Sequence, residues 1–270
     1  MLYYLYEYLA ANGIDIPGMN LLKSISFRAG MAVLLSLFIA LVYGKRIINY
    51  LRTKQMGELV RDLGLDGQKQ KEGTPTMGGL IIILATLIPV ILFTRFLNVY
   101  IVLLIISVVW MGAIGFIDDY LKKIKKNKDG LSGKFKIIGQ VGLGLIVGVT
   151  MYYNSNVVVK RKYADTQVVN RNNVEKNFMP TEKAVVSTVP FAKNNEFDYS
   201  KLLFWMDDAE ADEWAWIVFI PIVIFIVTAV SNGANITDGI DGLAAGTSTI
   251  ILLALAFFAY VSGNIIFADY

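Results

Sequence analysis

Three clusters of polar residues sit where long apolar runs begin or end, and their residue types suit phosphate chemistry. The first is KEGTPTMGG, Lys71 to Gly79. Thr74-Pro75 and Gly78-Gly79 make a turn that opens a helix, with Thr as a cap. A lysine beside free backbone N–H groups at a helix N-terminus holds an anion; an ordinary loop-to-helix junction would carry the same residues. The second is GFIDDYLKK, Gly115 to Lys123. Asp118 and Asp119 close an apolar run that reads as a helix, and paired carboxylates at a helix C-terminus repel each other and the macrodipole. Something cationic must compensate. A hard divalent ion such as Mg²⁺ is one candidate, bound through a carboxylate or two plus substrate phosphates. Lys122 and Lys123, as simple ion-pair partners, are the other.

The third cluster is SNGANITDGIDGLAAG, Ser231 to Gly246. Asn232, Asn235, Asp238 and Asp241 recur every three residues, which keeps them near one face of a helix. Gly233, Gly239 and Gly242 equally allow an unwound segment, which a membrane tolerates only where it lines a cavity or an aqueous face. A sugar or a nucleobase would give these amides and carboxylates partners. A polar connector with a helix cap at Asp238 would need none.

The elements that must position these clusters are transmembrane helices. The chain has 270 residues, 55% of them hydrophobic and only 17% charged, against about a quarter charged in a soluble domain. The apolar residues fall into about six runs, at 27–43, 77–94, 96–117, 137–153, 214–231 and 243–267. Each approaches the roughly 20 residues needed to span a bilayer as a helix. The fold class expected is therefore an all-α polytopic membrane protein. In the fourth run, Gly139, Gly142, Gly144 and Gly148 either let helices pack closely or are merely tolerated in a span. There is no Cys and no His, so thiolate sites and imidazole bases are excluded. Acid–base or metal chemistry must use carboxylates, Lys or Tyr. A net charge of +3 is too small to argue for nucleic acid. The opening MLYYLYEYLA lacks the basic start and cleavage site of a signal peptide, and its tyrosines suit a membrane interface.

The loops set the expected orientation. Residues 44–75 and 118–136 are rich in Lys and Arg and fall on one side of the membrane, which should be cytoplasmic. The loop around 232–242 joins them there, and the N-terminus lies outside. The chain thus reads as three parts: helices and basic loops over 1–153, a polar extracytoplasmic insertion over 154–213, and helices with a polar cytoplasmic loop over 214–270. In the insertion, Val157–Val159 and Val185–Val189 read as strands of a hairpin, and Trp214 and Trp216 read as an interface anchor. All three clusters then share one face: cations for phosphates, carboxylates for a metal, polar groups for a ligand. That combination suits transfer of a phosphorylated group to or from a lipid, in which catalysis is mostly positioning and charge neutralisation.

At these residues the sequence resembles the polyprenyl-phosphate sugar-1-phosphate transferases, and within them the branch that handles phospho-N-acetylmuramoyl-pentapeptide. The resemblance rests on KEGTPTMGG, IDDYLKK at 117–123, LSGKFK at 131–136, NITDGIDGLAAG at 235–246, and the opening MLYYLYEYL with ISFRAG at 25–30. It covers nearly the whole chain outside 154–213. It implies transfer from UDP-N-acetylmuramoyl-pentapeptide to undecaprenyl phosphate, with UMP leaving and lipid I formed for peptidoglycan synthesis, Mg²⁺ as cofactor, and a homodimer in the bacterial cytoplasmic membrane. Carried over by motif, Lys71 would contact the nucleotide with Thr76 nearby. Asp118 and Asp119 would be the catalytic and metal-binding pair, one of them deprotonating the lipid phosphate. Asn235, Asp238, Gly239, Ile240 and Asp241 would form the uridine and diphosphate region, with Asp241 reading the uracil, and Lys122 and Lys134 would assist with phosphates.

The sequence also departs from that family. Members have about ten spans, a further metal-binding Asp in an MGDxGS-type motif and a His-rich cytoplasmic loop. None of these occurs in the chain, which stops at Tyr270. The expectation is an N-terminal fragment or truncated product, inactive alone. Two alternatives stand beside this reading: a related transferase for another UDP-N-acetylhexosamine, and a transporter or channel subunit whose polar span ends line an ion route.

Overall fold

Hydrocarbon offers backbone N–H and C=O groups no partners, so an apolar stretch crosses a bilayer as a helix. The computed structural model, which describes residues 1–53, 77–124, 130–160, 180–189, 196–238 and 242–263, follows that rule. Among the described residues, five helical stretches are long and apolar enough to span: Ile25–Thr53, Val99–Lys123, Gly133–Tyr153, Asp208–Thr237 and Leu243–Ser262. The protein is an all-α, multi-pass membrane protein. The expected second span is shorter than its apolar run. Helix α4 covers only Gly79–Phe93, 15 residues, or about 22 Å against the roughly 30 Å of a hydrocarbon core. Its ends are set by backbone: Met77 is left-handed, at φ 68°, and Thr94 is extended.

The chain divides into two compact units, Met1–Gly139 and Gln140–Tyr270. In the first, α1 (Leu2–Ala11) leads through a short 3₁₀ turn to α2 (Ile25–Phe38). A π-helical turn, Ile39–Tyr43, joins α2 to α3 (Gly44–Thr53). Helix α2 packs along α4, and α4 packs in turn on α5 (Val99–Ile124). Helix α6 (Gly133–Tyr153) begins in this unit, where Trp110 Nε1 donates to the Gly139 carbonyl at 2.8 Å.

In the second unit α6 meets α8 (Trp216–Thr237). A methyl built on Gly144 would lie 2.7 Å from the Ile224 Cα, and one on Gly148 would lie 3.4 Å from the Ile220 Cα. These glycines are therefore where the two helices touch. An amide pair locks the same contact. Asn232 Nδ2 donates to Gln140 Oε1 at 3.0 Å and to the Thr228 carbonyl at 2.9 Å, while Gln140 Nε2 donates to Ser231 Oγ at 3.0 Å. Such bonds are the usual cement between helices in lipid. Helix α9 (Leu243–Ser262) follows.

Between α6 and α8 lies a small polar cap, and its hairpin is not the expected one. Strand β1 (Val186–Thr188) pairs antiparallel with β2 (Glu196–Asp198), whereas Val159 makes a single bridge to Glu182. Packing explains the choice of partner. Phe197 packs edge-to-face on Tyr199, and Tyr199 packs edge-to-face on Phe219 of α8 with centroids 5.3 Å apart, so the chain at 196–199 is pinned to the helix. Lys183 Nζ closes the end of α6 by donating to the Met151 and Asn154 carbonyls at 2.9 and 2.7 Å. The acidic stretch forms α7 (Asp208–Trp214), and Trp214 stacks on Trp216 at 6.1 Å.

Candidate functional site

The last two turns of α5 carry the paired carboxylates, and within the first unit Met77 of the KEGTPTMGG segment and the LSGKFK turn at 131–136 meet them. Asp118 and Lys122 are one helical turn apart and face each other; Lys122 Nζ lies 2.8 Å from Asp118 Oδ2. The chain then turns at Gly130 and enters α6. That return brings the Leu131 N–H to Asp118 Oδ1 at 2.7 Å and Lys136 Nζ to the same oxygen at 3.0 Å. The Asp118 side chain is only 13% exposed. A carboxylate at a helix C-terminus is disfavoured by the macrodipole, and these two ammonium groups and one amide compensate it.

Gly130 makes the return possible. Its φ of +65° lies in the left-handed region, and a Cβ there would sit 2.5 Å from Asp118 Oδ1 and 2.6 Å from Lys122 Cε. Only a residue without a side chain lets the backbone approach the ion pair so closely.

Asp119 has a different setting. It is half-buried, and its Oδ2 accepts the Met77 N–H at 3.2 Å. Met77 is itself buried and is the one non-glycine residue with positive φ among the described residues. A residue with a Cβ held left-handed is a strained position, and such positions cluster at functional sites. Asp119 Oδ1 makes no hydrogen bond or ion pair among the described residues. Among the described residues, Asp119 alone of the pair keeps an oxygen uncommitted, while both oxygens of Asp118 are engaged.

This arrangement fits the donor chemistry of Mg²⁺, which takes hard oxygen ligands and completes its shell with waters and substrate phosphates. Among the described residues no group of three or more acidic side chains gathers to hold a metal by itself. Any ion here would rest on one or two carboxylates and on its substrate.

In the second unit the polar cluster continues α8 as helix through Thr237, with Asp238 at its C-cap. Asn235 and Asp238 are exposed there. Asn232, grouped with them by spacing, instead faces Gln140 and is consumed by the helix contact. Lys134 is exposed, and no ion pair to it occurs among the described residues. Lys71, Thr76, Gly239, Ile240 and Asp241 lie outside the described residues.

Two residues of the site escaped the sequence reading. Lys136 was visible in LSGKFK, but nothing local tied it to an aspartate on the preceding helix. Gly130 follows Asp129, and an Asp-Gly pair is a turn signal that would have marked the reversal.

Residues 100–270 match the family model for glycosyl transferase family 4, and residues 71–83 match signature 1 of the phospho-N-acetylmuramoyl-pentapeptide-transferases. The phospho-N-acetylmuramoyl-pentapeptide-transferase of Flavobacterium johnsoniae is 57% identical over 273 residues, covering all of this chain and 66% of that protein. Those of Parabacteroides distasonis and Porphyromonas gingivalis are 52% and 48% identical, again over all of this chain and over 64% of their own lengths. The chain thus spans a little under two thirds of the length of these curated relatives. The matched region takes in the acid pair of α5, the LSGKFK turn and the polar end of α8. The chain belongs to glycosyl transferase family 4.

Proposed function

We propose that the protein transfers phospho-N-acetylmuramoyl-pentapeptide from its UDP carrier to undecaprenyl phosphate, giving lipid I and UMP. One observation carries the reading: the signature segment, at its strained Met77, donates a backbone N–H to Asp119 of the α5 acid pair. The stretch that distinguishes the muramoyl-pentapeptide transferases is thereby joined to the carboxylates that chemistry would use. The basic segments at 44–75 and 118–136 support placing this face at the cytoplasm, where a UDP-linked substrate is available. A homodimer is proposed on the resemblance alone.

In the reaction an oxygen of the lipid phosphate attacks the phosphorus that carries the sugar. The bond from that phosphorus to the oxygen of UMP breaks, and UMP leaves with the electron pair. Asp119, whose Oδ1 no described residue engages, takes the proton from the lipid phosphate. Asp118 holds Lys122 and Lys136 in place, so two ammonium groups stand beside the acid pair where phosphates arrive. Asn235 and Asp238, together with Lys71, Thr76, Lys134, Gly239, Ile240 and Asp241, are proposed to bind the nucleotide and diphosphate. Mg²⁺, held through Asp119 and, if Lys122 and Lys136 yield, Asp118, would neutralise charge on the diphosphate.

Supplying the full-length protein with undecaprenyl phosphate and a panel of radiolabelled UDP-sugars tests this. UDP-N-acetylmuramoyl-pentapeptide should give lipid-linked label and UMP, while UDP-N-acetylglucosamine should give little. The reverse preference would reassign the protein to another branch of the family. Ion flux without any turnover would reassign it to transport.

Gly130→Ala checks the geometry. The left-handed backbone costs an alanine about 1 kcal/mol, and the added carbon pushes Asp118 off its partners. Turnover should fall between about ten- and a hundredfold, the scale of a 1 Å misplacement. Retention of full turnover would show that the Gly130 contact does not hold the site.

A further inference from the structure

At the other end of α4, away from the acid pair, two arginines crowd one tyrosine. Arg28, in the first turn of α2, lies with its guanidinium carbon 4.7 Å from the centre of the Tyr3 ring. Arg95, just past α4, lies 4.2 Å from the same ring and donates to the Tyr3 hydroxyl. Arg28 is 8% exposed, yet it is poorly satisfied. Its Nη1 reaches the Phe93 carbonyl at a long 3.4 Å, and its Nε has no acceptor among the described residues.

A buried charge is normally paired or fully hydrogen-bonded. The ring face and the negative end of the α4 dipole offset part of the cost. Among the described residues no carboxylate lies within ion-pair distance of either arginine. Glu7 acts on the Tyr3 hydroxyl and pairs with neither arginine among the described residues. Two like charges sharing one aromatic ring therefore lack an anion.

The surroundings indicate what kind of anion. The ends of α2 and α4 form a span terminus, and Leu5, Tyr8 and Leu97 near it are exposed. Tyr4 stacks edge-on against Phe96 at 5.1 Å. Aromatic and aliphatic side chains around a pair of guanidiniums suit a phosphate that carries acyl chains: the phosphate meets the planar donors and the chains meet the apolar rim.

We propose that Arg28, Arg95 and Tyr3 form a binding site for the phosphate of an anionic phospholipid headgroup, distinct from the acid-pair site. Arg95, which is exposed, makes the direct contact; Arg28 stands behind it as a fixed second charge.

Native mass spectrometry of the full chain, released from micelles containing equal phosphatidylcholine and phosphatidylglycerol, tests the site. The wild type should retain one phosphatidylglycerol in preference to phosphatidylcholine. Arg95→Gln should cut that retention about fivefold. Lys23→Gln removes the same formal charge from an exposed lysine and should leave retention unchanged. Equal retention of the two lipids, an unaffected Arg95→Gln, or an equal loss in Lys23→Gln would each overturn the proposal. So would complete displacement of the lipid by millimolar inorganic phosphate, which would identify free phosphate as the ligand.

Discussion

Asp119→Asn in the full-length protein should lower lipid-linked product formation by about 10²- to 10⁴-fold, the usual contribution of a positioned proton-transfer group. The substitution is nearly isosteric. Its amide oxygen can still accept the Met77 N–H that now reaches Asp119 Oδ2, so the signature segment should stay in place. What disappears is the one oxygen of the acid pair that no other described residue occupies. UMP release at saturating substrate, measured beside the thermal midpoint, separates chemistry from folding. A variant that melts like the wild type and turns over within a few-fold of it would remove Asp119 from the proposed reaction. The companion change Asp118→Asn would act differently, because it strips a counter-ion from Lys122 and Lys136 together.

Gly144→Val should destabilise the protein by forcing apart two helices whose backbones touch. The first carbon of the new side chain would sit 2.7 Å from the Ile224 Cα and 3.1 Å from Ile224 Cγ1. A backbone atom cannot swing aside as a side-chain tip can, so α6 and α8 must separate. Overpacking of this kind costs about 1–3 kcal/mol, and a chain of this size loses roughly 2–4 °C in melting midpoint per kcal/mol. Gly30→Ala is the matched control, since a methyl there meets nothing within 4 Å. The control should melt no lower than the wild type, because alanine is the better helix former. Equal behaviour of the two variants would show that the α6–α8 contact is looser than the structure has it.

The spans were legible because a bilayer reduces the problem to counting apolar residues. Where counting failed, backbone geometry had intervened: α4 is clipped by the left-handed Met77 and the extended Thr94, and neither residue type announces that conformation. The hairpin was misjudged because strand pairing is a choice among partners. Val157–Val159 is as β-prone as any segment of the insertion, but the edge-to-face Tyr199–Phe219 contact favours 196–198 instead. The acid pair was legible from electrostatics alone, since two carboxylates at a helix end demand compensation. Its main compensating partner beyond the helix, Lys136, was not, because 18 positions separate it from Asp118 in sequence and only tertiary structure closes that gap. Asn232 shows the opposite error. Spacing placed it with Asn235 and Asp238, whereas the helix turns it toward Gln140.

The Gln140–Asn232 pair has a mechanical consequence. Apolar helices slide past each other at little cost, because one aliphatic side chain replaces another along the contact. Two interlocked carboxamides forbid that. Shifting α8 along α6 by a single turn, about 5.4 Å, would strand both amides in hydrocarbon without partners. The contact therefore has one permitted depth, and the exposed Asn235 and Asp238, within two turns of Asn232, are held at a constant height above the lipid.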